Sequence, residues 1–361
     1  MDSLSQLLLG ASVAAVAVPA AHRRAAMLAG AALGTLPDLD SFPIRVFTDD
    51  PVALMTLHRG FSHSLFVLPL LGWALWAGFR RLGGRVAEAP RGWFWAIQLA
   101  LLTHPLLDAF TNYGTQLLWP LATPPGMWSS LFIIDPAYTL WLLVGVVVAS
   151  VVPQARSAQR ALVLGLALSS AYIGWSLLAT GLVEREAERS LAALGLQDAP
   201  RFSSPMPFNT LLWRVVAMTP EGFVEGEHSL VADSAPIVFQ HHASEVDALA
   251  AVSGQPAVQR LAWFNRGFMK AQVREGRLVL SDLRMGLEPD YSFNFAVATR
   301  EGDRWRAIPP EHVSWPWDTR RRLAQMWRRI WREPLPVAQP GLQGLPVETG
   351  DVDAAGAAGR P

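Results

Sequence analysis

LLTHPLLDAFTNYGTQLLWP, residues Leu101–Pro120, ends a strongly apolar run and carries two side chains that suit a metal ion. His104 and Asp108 are four residues apart, so a helix places both on one face, one turn apart. An imidazole and a carboxylate on an apolar helix are costly to bury without a partner. A divalent metal is a partner that suits both. We therefore expect other parts of the chain to supply further ligands around this pair.

The composition indicates a membrane protein. Of the 361 residues, 51% are hydrophobic and 17% are charged, whereas soluble proteins have about 25% charged residues. The net charge of zero gives no reason to expect a nucleic-acid partner. The chain has no cysteine, so a metal must be held by His, Asp, Glu, backbone or water.

Six apolar segments in the first half predict a mainly α protein. We expect a polytopic helical membrane bundle followed by a small extramembrane α+β domain. A spanning helix needs ~20 apolar residues, and the second segment is short enough to be half of a helical hairpin or a re-entrant segment. The six segments are Leu4–Ala21, Ala25–Leu36, Ser64–Phe79, Gly92–Phe110, Tyr138–Val152 and Ala161–Leu182.

Arginine is unevenly distributed among the loops between these segments. The loops after the first, third and fifth segments hold eight arginines, and the loop after the second holds only Arg45 and Arg59. By the positive-inside rule, this predicts a multi-pass inner (plasma) membrane protein with the arginine-rich loops in the cytoplasm. The candidate metal ligands and the C-terminal domain then face the extracytoplasmic side, and the lipid bilayer is the expected partner.

Changes in composition predict five regions along the chain. The region 311–333 is basic and rich in tryptophan, which suits a helix at a membrane interface or an ordinary surface helix that closes the domain. Strands are predicted at Gly222–Ser229 and Arg277–Asp282, among others, from alternating patterns bounded by turns. The predicted regions are a helical membrane domain with the metal site (1–182), an amphipathic helix and linker (183–207), a small α+β domain (208–310), the basic helix (311–333) and a disordered tail (334–361).

Two further motifs carry candidate metal ligands. LPDLD places Asp38 and Asp40 at the end of the second segment, although an Asp-x-Asp pair is also typical of a polar helix end. HRGFSHS brings His58 and His63 close to the third segment, unless they are loop histidines without a common target. Arg59 is predicted to bind a carboxylate or an anionic substrate group, because guanidinium binds phosphate in a bidentate way.

Polar residues that follow Asp108 could assist the chemistry. Thr111 and Tyr113 could donate hydrogen bonds to a metal-bound water, a ligand carboxylate or a substrate oxygen. The alternative for Tyr113 is an interfacial aromatic residue. Asp135 could be a helix N-cap before Pro136 or a further metal ligand, and the sequence leaves both open.

A His/Asp set without cysteine suits Zn²⁺, Mn²⁺ or Fe²⁺, and more than four candidates permit two metals. A metal-bound water has a lowered pKa and can act as a nucleophile. A carboxylate that is not needed for ligation, Asp38 or Asp108, could be the general base. The predicted reaction is therefore hydrolysis, with a phosphoester as the candidate substrate.

The motifs LPDLD, HRGFSHSL and HPLLDAFTNYGTQLLWP, with IDP before the fifth segment, resemble the YdjM-like family of membrane-bound, metal-dependent hydrolases over about residues 1–150. That family is described as associated with the inner membrane and as distantly similar to zinc-dependent phospholipase C and the P1-type nucleases. Its members usually have a Thr-His pair where this chain has Ser5-Gln6, so either a metal ligand is lost or Gln6 binds substrate. The metal-site residues that the resemblance implies are Asp38, Asp40, His58, His63, His104 and Asp108.

The leading prediction is a membrane-bound hydrolase that uses a divalent metal, preferably zinc, on an unidentified small-molecule or lipid substrate. The alternative is a non-catalytic membrane protein with a structural His/Asp cluster and a partner-binding outer domain. A cation transporter is a third class. It is disfavoured because the polar residues lie at predicted helix ends and not at mid-membrane depth.

Overall fold

A computed structural model describes residues 1–315 and 319–334, so the predicted tail lies outside the described residues from residue 335 onward. Residues 1–192, which we call the helical half, contain helices α1 to α9. They are α1 (Ser3–Ala17), α2 (Arg23–Thr35), α3 (Ser41–Phe47), α4 (Pro51–Leu57), α5 (Val67–Leu82), α6 (Arg85–Glu88), α7 (Pro90–Ala109), α8 (Pro136–Val151) and α9 (Ala155–Ala192).

Aspartate caps fix where several of these helices begin. The Asp50 carboxylate accepts a hydrogen bond from the backbone N–H of Val52 at 2.8 Å, and Pro51 occupies the first position of α4. Asp135 and Pro136 begin α8 in the same way. An acidic N-cap satisfies backbone donors that a helix end leaves free, and proline at the first position loses no hydrogen bond.

Glycines allow α1 and α2 to pack in direct backbone contact. A Cβ atom on Gly30 would lie 2.2 Å from the carbonyl oxygen of Gly10, and one on Gly34 would lie 2.6 Å from that of Gln6. No side chain fits at such distances. The close packing brings the carbonyl of Gly34 and the side chain of Gln6 next to α7.

The prediction of a six-helix polytopic bundle is wrong. Among the described residues, α9 is the helix that is long and apolar enough to cross a membrane by itself. Pro51–His63 and Val67–Leu82 qualify only when taken together as one span bent by 54°. The other helices are too short or too polar: α2 has 13 residues, roughly 20 Å of helix, against a hydrocarbon core of about 30 Å.

The prediction failed because apolar residues in turns were counted as parts of spanning helices. Val18 and Pro19 extend the first apolar segment, but α1 ends at Ala17. The predicted multi-pass topology and its orientation rested on arginine counts in loops between several spans. Most of those segments are not spans, so both predictions lose their basis.

Residues 201–312, which we call the β half, contain two antiparallel four-stranded sheets and a short hairpin, a larger β content than the prediction implied. The strand orders are β1-β2-β3-β4, β10-β9-β6-β5 and β7-β8. The strands are β1 (Arg201–Pro205), β2 (Leu212–Thr219), β3 (Gly222–Ser229), β4 (Phe239–Ala243), β5 (Met269–Arg274), β6 (Arg277–Asp282), β7 (Gly286–Leu287), β8 (Asp290–Tyr291), β9 (Asn294–Glu301) and β10 (Arg304–His312), and the helices that follow α9 are α10 (Val246–Val252), α11 (Pro256–Asn265) and α12 (Thr319–Ile330).

Two boundaries differ from the predicted regions. The predicted linker contains β1, because Phe202 and Ser203 pair with Val216 and Val215 of β2. Pairing with a neighbouring strand can make a strand of a Pro/Ser-rich stretch that has little β propensity of its own. The predicted basic helix begins only at Thr319 in the described part of the chain, after β10 has continued to His312.

The two halves share an interface beside the candidate site. The Tyr113 ring lies 5.6 Å from that of Phe264 and 5.8 Å from that of Phe293, both in the β half. The side-chain amide of Asn112 donates to the carbonyl of Arg284 at 2.5 Å. The segment after Asp108 thus connects α7 to the β half.

Candidate metal centre

Four of the predicted ligands meet in one group: the buried His63, His104 and Asp108, and the partly exposed Asp38. Each offers one ligand atom, and these atoms all lie within 4.8 Å of one another. The Nε2 atoms of His63 and His104 are 3.1 Å apart. Two short 3₁₀ turns, Leu36–Asp40 and Phe61–His63, bring the first two residues to α7.

The carboxylates complete the group around the two imidazoles. Asp38 Oδ1 lies 3.3 Å from His104 Nε2 and 3.4 Å from His63 Nε2. Asp108 Oδ2 lies 3.5 Å from His104 Nε2 and 3.3 Å from His63 Nε2. Both oxygens are buried without a hydrogen-bond partner of good geometry. A set of two imidazoles and two carboxylates fits a four-coordinate divalent metal.

Hydrogen bonds behind the imidazoles fix which ring nitrogen faces the centre. His104 Nδ1–H donates to the carbonyl of Gly34 at 2.5 Å, which leaves Nε2 free to bind a metal. His63 Nδ1 pairs with the Ser62 hydroxyl at 2.9 Å. Such partners on the far ring nitrogen are a recurrent feature of metal-binding histidines.

Asp40 and His58 lie outside the four-ligand group and bind each other. His58 Nδ1 and Asp40 Oδ1 are 2.7 Å apart. Asp40 also accepts hydrogen bonds from the Ser62 hydroxyl at 2.5 Å and the Arg59 backbone N–H at 3.1 Å. The His58 Nε2 atom is 3.9 Å from Asp38 Oδ1, and its side chain is 22% exposed. The pair therefore lies at the open side of the group.

Burial and hydrogen bonding have opposite effects on the carboxylates of the 3₁₀ turn. Burial favours the protonated form of Asp38, but the adjacent imidazoles of His104 and His63 outweigh it and hold its pKa well below the ordinary value. Burial likewise opposes ionisation of Asp40, and the bond from His58 lowers its pKa. Both side chains are therefore negatively charged at neutral pH, as metal ligation by Asp38 requires.

Arg59 points at the candidate metal centre. Its Nε atom lies 3.1 Å from Asp108 Oδ2, and its guanidinium stacks 4.8 Å from the centre of the Tyr113 ring. Its backbone φ is +61°, an uncommon value for a residue other than glycine. The guanidinium is thus close enough to the ligand atoms to contact an anionic group that binds beside them.

Thr111 and Tyr113 use their hydroxyls elsewhere. Thr111 Oγ1 donates to the carbonyl of Asp108 at 2.7 Å, and the Tyr113 hydroxyl donates to the carbonyl of Met55 at 2.8 Å. Neither hydroxyl reaches a ligand carboxylate. Both residues shape the end of α7 and the wall behind Arg59.

Gln6 reaches the centre, whereas Asp135 does not. The Gln6 amide donates to Asp108 Oδ1 at 2.9 Å and to the carbonyl of His104 at 3.2 Å, and its own oxygen is buried without a partner. The amino group of Met1 also contacts Asp108 Oδ1. The Asp135 carboxylate caps α8 and accepts a hydrogen bond from Tyr172 at 3.0 Å.

Two serines beside the site had no predicted role in it. Ser62 donates to Asp40, and Ser64 accepts a hydrogen bond from the backbone N–H of Phe66 at 3.1 Å, just before α5 begins. The backbone carbonyl of Gly34 could not be found from sequence, because any residue carries that group. Only the close packing of α1, α2 and α7 brings it to His104.

The protein combines a helical half, which carries the His₂Asp₂ group, with a β half. Its described residues could hold one divalent metal. Its relatives are membrane proteins: the sequence profile of the YdjM inner membrane protein family matches residues 1–183, and the chain belongs to that family. The predicted family is thereby confirmed. Comparison with curated proteins and with solved structures gives no match, and the more distant similarity to phospholipase C and the P1-type nucleases is not shown.

Proposed function

We propose that this protein is a membrane-bound, metal-dependent hydrolase in which Asp38, His63, His104 and Asp108 hold one divalent cation. The observation that carries the proposal is the convergence of four ligand atoms within 4.8 Å. Zinc is the preferred metal, because it favours four nitrogen and oxygen ligands, and Mn²⁺ or Fe²⁺ would also suit the set. Such a metal supplies a bound water of lowered pKa as a nucleophile.

Other residues would then bind and orient the substrate. Arg59 lies beside Asp108 and can neutralise an anionic group such as a phosphoester. His58, fixed by Asp40 at the open side, can hydrogen-bond a substrate oxygen through Nε2. Gln6 holds Oδ1 of Asp108, which leaves Oδ2 for the metal. In this division of roles, His58 contacts the substrate, Asp40 and Gln6 are positioning residues, and none of the three is a metal ligand.

A lipid-related phosphoester at the outer membrane face is the substrate class we propose. Arg156 and Arg160 belong to the first two turns of α9, and the β half follows its other end. Arg185 and Arg189 lie near that other end, so arginine alone does not orient α9, and the outer position of the β half is part of the proposal. A reporter fused between α9 and β1 should be active only outside the cytoplasm.

The test combines metal content with hydrolysis. The purified full-length protein should contain about one metal per chain by elemental analysis, and a screen of phosphodiesters and phosphomonoesters with added Zn²⁺, Mn²⁺ or Fe²⁺ should reveal a hydrolysed class. H104A should lose both properties. Protein without bound metal whose behaviour H104A leaves unchanged would contradict the proposal.

A structural role for the cluster is the second candidate function, with the β half as a partner-binding module. It is favoured by the contact that the Arg59 guanidinium makes with Asp108, because this cation neutralises the carboxylate within the protein. Under this alternative, metal removal by a chelator would lower the melting temperature, and no ester in the screen would be hydrolysed.

A further inference from the structure

A second candidate site lies far along the chain from the metal ligands, in a cavity of about 500 Å³ between α12, the β half and the segment before α8. Its volume is within the range of roughly 300–1,000 Å³ that small-molecule sites have. Its walls are mainly apolar and are contributed by Phe132, Ile134, Met206, Phe208, Leu323 and Met326.

The arginines at this cavity already have acidic partners. Arg322 donates to the carboxylate of Asp290 at 2.5 Å, and Arg329 donates to that of Asp233 at 2.8 Å. Paired cations attract an anionic ligand only weakly. Glu227, the carboxylate in the lining, lies 3.6 Å from Arg329 Nε and so also has a partner of opposite charge. Recognition in the cavity therefore depends on apolar volume, and the ligand that fits best is an uncharged hydrocarbon segment.

The cavity adjoins surfaces typical of a membrane boundary. Ile134, which lines it, is 46% exposed and lies two residues before α8, whose outer side exposes Leu140 and Val144. Trp327 on α12 and Trp331, the residue that follows this helix, are 61% and 54% exposed, with ring centres 5.9 Å apart. Tryptophan among arginines is common where a helix meets lipid head groups. Hydrocarbon chains are thus the apolar ligands nearest to this opening.

The backbone at the mouth of the cavity is strained. Phe208 has a φ of +67°, which is a real outlier for a bulky side chain. Its ring packs edge-on against that of Phe132, with centres 5.8 Å apart, and is 42% exposed. Strain of this kind is concentrated at functional sites. The conformation keeps an aromatic side chain at the opening.

We infer that this cavity binds the aliphatic chain of a membrane amphiphile. The site combines residues before α8 with the β half and α12, and most of its lining lies beyond the family match at residues 1–183. It does not depend on the metal centre, so either proposal can fail without the other.

The test uses a fatty acid that carries a photoreactive diazirine in its chain, added to the full-length protein in lipid nanodiscs. After illumination, labelled peptides are identified by mass spectrometry. Label should concentrate on the peptides that contain Met206–Phe208 and Leu323–Met326. M326W, which fills the cavity, should reduce label at Met206–Phe208 by about tenfold. A324W adds the same side chain to the exposed side of α12 and should leave labelling unchanged.

F208E places a charge at the mouth and should reduce labelling at Leu323–Met326 even if M326W does not fold. The helix content of each variant, measured by circular dichroism, shows whether the helical half is intact. Label confined to the outer sides of α8 and α9, or labelling of the cavity that survives both variants, would overturn the inference. So would stronger labelling after truncation beyond Pro334, because the chain itself would then be the occupant.

Discussion

The helical half and the β half contain buried charges of two different kinds. In the β half, both carboxylate oxygens of Asp282 accept hydrogen bonds from the Arg284 guanidinium, at 2.6 to 3.2 Å, so each charge has a partner. In the helical half, two imidazoles face each other at 3.1 Å, and the nearest oxygens of Asp38 and Asp108 lack well-formed hydrogen bonds. We call an ion pair closed when both carboxylate oxygens are hydrogen-bonded to its cation, and such pairs stabilise a fold. Ligand atoms that converge on one point without hydrogen-bond partners are suited to bind a cation.

The largest effect is expected at the metal centre. H104A removes one of four ligands and should weaken Zn²⁺ binding by more than about 100-fold, because outer-shell partners alone are worth about 10–100-fold. Calorimetric titration of metal-depleted protein measures it. H241A, at an exposed position in the β half, is the matched control and should not change the affinity.

H58A tests whether His58 is also a metal ligand. Because His58 lies outside the four-ligand group, its removal should weaken Zn²⁺ binding by no more than about tenfold. Equal losses in H58A and H104A would show that His58 is a ligand, and the division of roles proposed here would be wrong.

The closed pair of the β half should be the next most sensitive position. R284M leaves Asp282 buried without its partner and should lower the free energy of unfolding by about 3–5 kcal/mol. R277M breaks the more exposed pair with Glu311 and should cost less than about 1 kcal/mol. Denaturant unfolding compares the two variants, and similar losses would contradict the distinction between closed and surface pairs.

Helix packing in the helical half should respond more moderately to a single added side chain. G30V forces a side chain against the carbonyl of Gly10 and should destabilise the protein by about 1–3 kcal/mol, more if α1 and α2 separate. G174A, on α9, meets no atom within 4 Å and should stabilise slightly. A melting temperature unchanged in G30V would show that α1 and α2 do not pack so closely.

The smallest effect concerns pH. Burial lowers the pKa of His228 in the β half below its ordinary value of 6.5. Because the unfolded chain then binds the proton more readily, stability should be complete above about pH 6.5 and fall as the pH drops below it. H228Q should flatten this dependence, measured by melting between about pH 5 and pH 8. H241Q, at an exposed position, should leave the dependence unchanged.

The spacing of residues predicted the pair on α7 because it depends only on helix periodicity. His104 and Asp108 are one turn apart on any helix, and the structure has them so. Local alternation and turn residues likewise predicted β3 and β6 with the bounds that the structure shows. The family followed from the motifs, and the profile match confirms it.

Hydropathy did not predict the architecture. An apolar stretch reports burial without saying whether lipid or protein surrounds it, and turns can be as apolar as helices. The second apolar segment largely coincides with α2, which packs backbone to backbone on α1 and is too short to span a bilayer. The extent of the β half was underestimated because β1 depends on pairing with β2 and not on its own residues.

The sequence by itself determined which residue types can bind a metal, the local periodicity of α7 and the family. Tertiary structure alone decided which candidates meet: Asp38 and His63 converge on α7, while Asp40 turns to His58 and Asp135 caps α8. The reason is physical. Spacing along a chain fixes neighbours within one element, but contacts between elements depend on packing, here on glycines that let α1 and α2 approach closely enough to set Gln6 and Gly34 against the site.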